Sequence, residues 1–179
     1  ENRLSGFGGG FSYQLGGIAK LTDWLRLGIT YDSPVWYTIK EETRQYLATR
    51  FVDQSDEETT VVLDPNAINV FDEFTIQAPS KRTASLALVI KKLGLISFDY
   101  SRKDYSKMEF RTIDGVEDSH FSDLNWEIYN HLTVANSYKI GAEVRANNMS
   151  YRAGYKIDGS PYANTDYDSD RTGFSLGIG

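Results

Sequence analysis

Between Tyr138 and Ile157 the chain reads YKIGAEVRANNMSYRAGYKI, two runs of apolar/polar alternation joined at Asn147 and Asn148. Successive side chains of a strand point to opposite faces, so this pattern demands a hairpin with two chemically different sides. Tyr138, Ile140, Ala142 and Val144 take one side; Lys139, Glu143 and Arg145 take the other. A soluble sheet with one wet face satisfies the pattern, and so does the wall of a transmembrane barrel, whose strands alternate between lipid and lumen.

The same period recurs along most of the chain, whereas no stripe at i, i+3, i+4, i+7 is long enough for a core helix. Alternating runs begin at Phe11 and Leu25, continue in RTASLALVI and LISFDYSRK, and end in TGFSLGIG. With the two arms of the hairpin they make about seven antiparallel strands. Their connections are of two kinds. LTDW, KKLG and ANN are tight, with Asp, Gly or Asn supplying turn chemistry. Between these lie long polar excursions at about residues 33–80, 106–131 and 158–171. Short turns therefore gather at one end of the sheet and long loops at the other, the asymmetry of outer-membrane barrels. The expectation is an all-β fold, an antiparallel transmembrane β-barrel to which residues 1–179 contribute a single domain.

Composition is compatible with this. No apolar run reaches the length of a spanning helix, but a transmembrane strand needs only about ten residues, half of them facing a polar lumen. Tyr (12 residues) and Gly (15) are abundant and Pro (4) is scarce. Tyr31, Trp36, Tyr37, Tyr100, Tyr105, Tyr155 and Tyr162 fall toward the long-loop side and Trp24 toward the short-turn side, as interfacial girdles require. A net charge of −6 without a Lys/Arg cluster argues against nucleic acid as a partner. The absence of cysteine removes disulfide and thiolate chemistry.

On a barrel wall, Arg26, Asp99, Lys103, Lys139, Glu143, Arg145, Arg152 and Lys156 face the lumen, and Tyr138, Ile140, Val144, Tyr151 and Tyr155 face lipid. Opposite charges across a wet interior pair and fix register; alternatively they line a polar path or meet a ligand head group. In the first excursion IKEETRQYLATRF reads as a short amphipathic helix and DQSDEETT as a solvated acidic run. LDPNAINVFDEF sets Val70, Phe71 and Phe74 among carboxylates and folds back over the barrel mouth. FSDLNWEIYNHL places Leu124, Ile128 and Leu132 at helical spacing beside Trp126, either a helix capping the pore or a loop anchor. Val70, Phe71, Phe74, Leu124, Trp126 and Ile128 are thus the candidates for capturing an apolar molecule.

Other motifs carry less. GFGGGF matches neither nucleotide-loop pattern and marks a bend, a bulge or close backbone approach. His120 with Asp118 or Asp123 does not resemble a zinc site, and no G-x-S-x-G turn is present. No metal, cofactor or enzymatic activity is expected. KRTASL resembles a basic kinase site, but alternation points Thr83 and Ser85 inward.

LRLGITYDSPV, APSKRTASLALVIKKLGLISFDYSRKDYS and YKIGAEVRANNMSYRAGYKIDGSPY followed by TGFSLGIG together resemble FadL/TodX-type outer-membrane transport proteins, in particular a Bacteroidetes branch sometimes labelled hemin receptor. That resemblance implies a bacterial outer-membrane location in contact with the bilayer and lipopolysaccharide. It also implies passive uptake of hydrophobic small molecules such as long-chain fatty acids or aromatic compounds. A docking or secretion-associated scaffold, or a hemin receptor, is the alternative. Members form long barrels with about twice this strand count and an N-terminal plug, so the chain reads as a fragment of a larger wall. The alternative is a small barrel with residues 1–9 as an eighth strand. Ser33-Pro34 and Ser160-Pro161 stand where strands leave the membrane, shaping the loop roots.

Overall fold

The computed structural model describes residues 2–52, 58–64, 67–116, 118–164 and 169–179. In chain order the strands are β1 (Asn2–Phe11), β2 (Gln14–Lys20), β3 (Leu25–Asp32), β4 (Val35–Gln45), β5 (Leu47–Val52), β6 (Glu58–Leu63), β7 (Ile68–Val70), β8 (Phe74–Ala78), β9 (Lys81–Ile90), β10 (Gly94–Asp104) and β11 (Glu109–Thr112). Helix α1 (Ser119–His131) follows, then β12 (Val134–Ala146), β13 (Met149–Asp158) and β14 (Arg171–Ile178).

The seven alternating runs form one antiparallel sheet ordered β2-β3-β9-β10-β12-β13-β14, so every long excursion returns to the strand beside the one it left. Its tight turns fall at one end. The β9–β10 turn has Lys91 at φ 45° and Gly94 at φ 154°, and a Cβ on Gly94 would stand 1.9 Å from the Glu143 carbonyl oxygen. Only glycine fits there. Asn147, at φ 54°, makes the β12–β13 turn, a conformation its side chain tolerates. The sheet is open, with β2 and β14 as its edges.

At the long-loop end the wall does not dissolve into loops. A second sheet, β1-β4-β8-β11, repeats the order of β2, β3, β9 and β10 and continues each of those strands upward. The excursion at 33–80 is therefore largely strand. The helix expected over IKEETRQYLATRF is corrected in the same way: β4 runs through Gln45 and β5 begins at Leu47. An isolated helix of that length is marginal in water, whereas β4 gains ladders from β1 on one side and from β8 and β7 on the other. Val35, Thr38, Ile39 and Thr43 add β-branched bulk. Of DQSDEETT, residues 53–57 lie outside the described residues, and the remainder begins β6, which pairs with β5. The glycine-rich stretch is regular strand β1; a Cβ on Gly8 would lie 2.5 Å from the Thr38 carbonyl oxygen, the close approach that glycine permits.

A seam separates the two sheets. Strands break at 12–13, 33–34 and 79–80, and the register above (Phe11↔Trp36, Val35↔Ala78) and below (Gln14↔Asp32, Asp32↔Lys81) aligns the breaks side by side. Pro34 and Pro79 sit in it, each lacking the N–H that a ladder needs. Ser33, only 3% exposed, staples the joint: its Oγ accepts from the Tyr13 N–H at 2.9 Å and donates to the Pro34 carbonyl at 2.8 Å.

Burial is inverted relative to a soluble domain. Among the described residues the one buried hydrophobic side chain is Ala135, while Phe174, Leu176 and Ile29 are 83%, 80% and 71% exposed. A β-sandwich would bury such a face against a second sheet. No helix is long and apolar enough to cross a membrane, which says nothing of strands.

Replacing Ser33 with Ala strands the Tyr13 N–H at the seam. Chemical denaturation in detergent is expected to show a loss of about 1–3 kcal/mol.

Candidate functional site

Three phenylalanines converge above the seam from three elements. Phe74 opens β8, Phe110 lies on β11, and Phe121 lies in the first turn of α1. Their ring centroids are 6.2 Å (Phe74–Phe110), 5.4 Å (Phe74–Phe121) and 5.9 Å (Phe110–Phe121) apart, offset-stacked or tilted as aromatic quadrupoles favour. The pairing Phe110↔Ile76 sets the first two on neighbouring strands.

Helix α1 is held to the sheet by Asn125. Its Oδ1 accepts from the Phe110 N–H at 2.8 Å and its Nδ2 donates to the Phe110 carbonyl at 2.9 Å, so one side-chain amide substitutes for the next strand. Asp118 starts the helix, accepting from the His120 N–H at 2.7 Å. Across the cavity, the Phe71 N–H donates to the Glu41 carbonyl at 2.9 Å and ties the segment before β8 to β4.

Together these elements enclose a cavity of about 760 Å³ whose apolar wall is Phe71, Phe74, Phe110, Ile113, Phe121 and Leu124. Five carboxylates also line it, Glu41, Asp72, Glu73, Asp114 and Asp118, with His120 and, among the described residues, no Lys or Arg. Asp114 belongs to a self-bonded turn in which Thr112 Oγ1 donates to the Val116 carbonyl at 2.6 Å. The Val116 N–H, reaching Asp114 Oδ1 at 3.1 Å, holds the Asp114 carboxyl below the usual carboxylate range.

Of the capture residues expected from sequence, Phe71, Phe74 and Leu124 line this cavity. Val70, Trp126 and Ile128 do not; Val70 lies on β7, paired with Glu42, and Trp126 is 64% exposed on α1. Phe110, Ile113 and Phe121 went unnoticed. Phe121 stands three residues before Leu124, on the same helical spacing, and Phe110 and Thr112 alternate with Arg111 in a short strand.

The eight charged residues expected on one side of the wall do share a face. The register couples Asp99↔Lys139↔Lys156, Glu143↔Arg152 and Lys103↔Ala135, and Arg26↔Ala87 continues the same side. Glu143 binds Arg145 Nε and Arg152 Nε at 2.7 Å each, one carboxylate bridging two strands. Lys156 reaches Asp158 at 2.9 Å, and Lys103 lies 4.8 Å from the Tyr105 ring centre. Thr83 is on this face too, bonded to Ser101 at 2.9 Å. Tyr138, Ile140, Val144, Tyr151 and Tyr155 share the opposite face. Among the described residues no group of three or more His, Asp or Glu is arranged to hold a metal.

A family model described as outer membrane protein transport protein (OMPP1/FadL/TodX) matches residues 2–179. No curated protein matches the sequence. Among solved structures, the CymD monoaromatic hydrocarbon channel is similar at a TM-score of 0.54 and 19% identity, over 94% of this chain and 42% of that one. The chain thus spans less than half the length of that channel.

Two outcomes follow from the geometry. Asn125→Ala is expected to free α1, at a cost of about 1–3 kcal/mol to its docking, with faster hydrogen exchange at the Phe110 amide and earlier proteolysis within 119–131. Asp114, with its folded pKa depressed, lends the 112–116 turn stability that is fully present above the unfolded value of about 3.9 and lost as pH falls through the folded one. A carboxyl-carbon NMR titration should put its midpoint below that of free aspartate.

Proposed function

The chain belongs to the outer membrane transport protein family (OMPP1/FadL/TodX), and on that footing we propose that it forms part of a barrel wall, with its extracellular mouth, for uptake of small hydrophobic molecules. The family is one of transporters of the outer membrane, not of enzymes. In this reading the apolar face meets lipid. The charged face with Arg26, Asp99, Lys103, Lys139, Glu143, Arg145, Arg152 and Lys156 meets the lumen, and further strands complete the open sheet.

One observation carries the substrate class: a phenylalanine-lined cavity with five carboxylates and, among the described residues, no Lys or Arg in its lining. A neutral aromatic ring entering beside Phe74, Phe110 and Phe121 gains about 0.5–1.5 kcal/mol per ring pair beyond the burial of its area. A fatty-acid carboxylate meets like charge instead; each carboxylate about 4 Å away costs roughly 1 kcal/mol in bulk water and about 4 kcal/mol near a protein surface. At the protein-surface value the repulsion outweighs a stacking contact. Neutral, preferably aromatic, molecules are therefore the favoured cargo over long-chain fatty-acid anions, and the same carboxylates oppose the propionates of hemin.

Captured molecules have a short way to go. From Phe74 to the seam at Pro79 is five residues of strand, about 16 Å, and at the seam the wall has lost two ladder donors. The cargo passes there, into the lumen or sideways through the wall.

Uptake of radiolabelled toluene and of laurate by cells producing the full-length protein tests this. Wild type should favour toluene; Phe74→Ala/Phe121→Ala should cut toluene uptake roughly tenfold, in line with the loss of two stacking partners. Asp72→Lys/Glu73→Lys should raise laurate relative to toluene. Equal uptake of both by wild type, unmoved by charge reversal, would reject the assignment.

A further inference from the structure

The apolar face of the seven-stranded sheet carries two cations, Arg82 on β9 and Arg102 on β10, and they are direct register partners. Like charges set opposite one another on a sheet repel. Neither guanidinium has an ion pair or side-chain hydrogen bond among the described residues. The carboxylate on that face, Asp104, accepts from Ser106 Oγ at 2.6 Å. Both arginines are exposed and stand in one row, at the long-loop end, between Tyr31 and Asn136.

The next row down is Gly17, Ile29, Ala84 and Tyr100. Gly17 and Ala84 contribute almost no side chain, which leaves a hollow of about 720 Å³ walled by Leu15, Ile29, Tyr31 and Tyr100 and headed by the two guanidinium groups. The Tyr100 ring lies tilted against Tyr138 with centroids 5.3 Å apart, and its hydroxyl donates to Asn136 Oδ1 at 2.8 Å, so the aromatic ring row sits apolar side down and polar end up, as at a membrane interface. A paired cationic head above an apolar trough is complementary to an amphipathic anion, and planar guanidinium groups bind phosphate bidentately.

We propose that this hollow seats one phosphorylated lipid of the outer leaflet, its phosphate bridging Arg82 and Arg102 and an acyl chain lying over Gly17 and Ala84. The site rests on the reading that the apolar face meets lipid. It lies on the other side of the wall from Lys139 and Glu143 and shares no lining residue with the phenylalanine cavity. The phosphate removes the Arg82–Arg102 repulsion and so fastens β9 to β10 just below the seam.

Native mass spectrometry of the full-length protein in mild detergent tests it, with titrations of lipid A, of dephosphorylated lipid A and of inorganic phosphate. Wild type should retain one lipid A. Arg82→Gln/Arg102→Gln should weaken retention at least about tenfold, the loss of charge-assisted bonds, and Arg82→Lys/Arg102→Lys should restore part of it. Ala84→Trp, which keeps both arginines but fills the trough, should also weaken it. Undiminished retention by the Gln pair, equal binding of the dephosphorylated lipid, or displacement of lipid A by equimolar inorganic phosphate would each overturn the site. The facing itself is read separately, from quenching of an Ile140→Trp reporter by brominated phospholipid. Quenching with unaltered lipid A retention in the Gln pair rejects the site alone, whereas an unquenched reporter rejects the orientation beneath it.

Discussion

Every backbone donor and acceptor on a wall that meets hydrocarbon must find its partner within the wall, because the lipid offers none. Between its open edges β2 and β14 the seven-stranded sheet meets that demand with a neighbour-to-neighbour ladder in which each strand pairs with the next alternating run along the chain. The rest of the structure depends on it. With hydrogen bonds supplied between strands, the side chains are free of the need to pack a core, and Phe174, Leu176 and Ile29 stand outward with no protein covering them. Charged and small residues take the other side, where Glu143 ties β12 to β13 through Arg152 and binds Arg145 of its own strand.

The same strands continue past the seam into the upper sheet. Pro34 and Pro79, each lacking a ladder donor, occupy the seam at which the ladder is interrupted. Ser33 replaces part of what the ladder loses by bonding the Tyr13 N–H. Above the seam the upper sheet is narrower and its outer edge, β11, would be exposed. Asn125 closes that edge at Phe110, and the aromatic cavity exists because this closure brings α1 over β8.

Strands, tight turns and the sorting of connections were legible because each is written in local chemistry: alternation of period two, and Asp, Asn or Gly at turns. Phe71, Phe74 and Leu124 were legible as apolar residues stranded in polar surroundings. Phe110 was not, because β11 is four residues long and shows too little alternation to be separated from loop, and nothing local says that it pairs with β8, whereas Phe121 shares Leu124's helical spacing. The segment around Lys40–Arg50 misled for a related reason. Its spacing suits an amphipathic helix, and the ladders that make it strand come from residues 2–11 and 68–78, far along the chain.

By itself, then, the sequence determined which residues share a face, which end of the sheet carries the long excursions, and that the apolar face has no matching partner in the chain. Tertiary structure alone decided that the first excursion rises as a second sheet, that three phenylalanines meet under α1, and that Arg82 stands directly opposite Arg102 on the apolar side. The division follows from range. Facing is a property of neighbours two residues apart, whereas a cavity or a pair of opposed charges is set by strand register, which joins segments that the chain itself keeps apart.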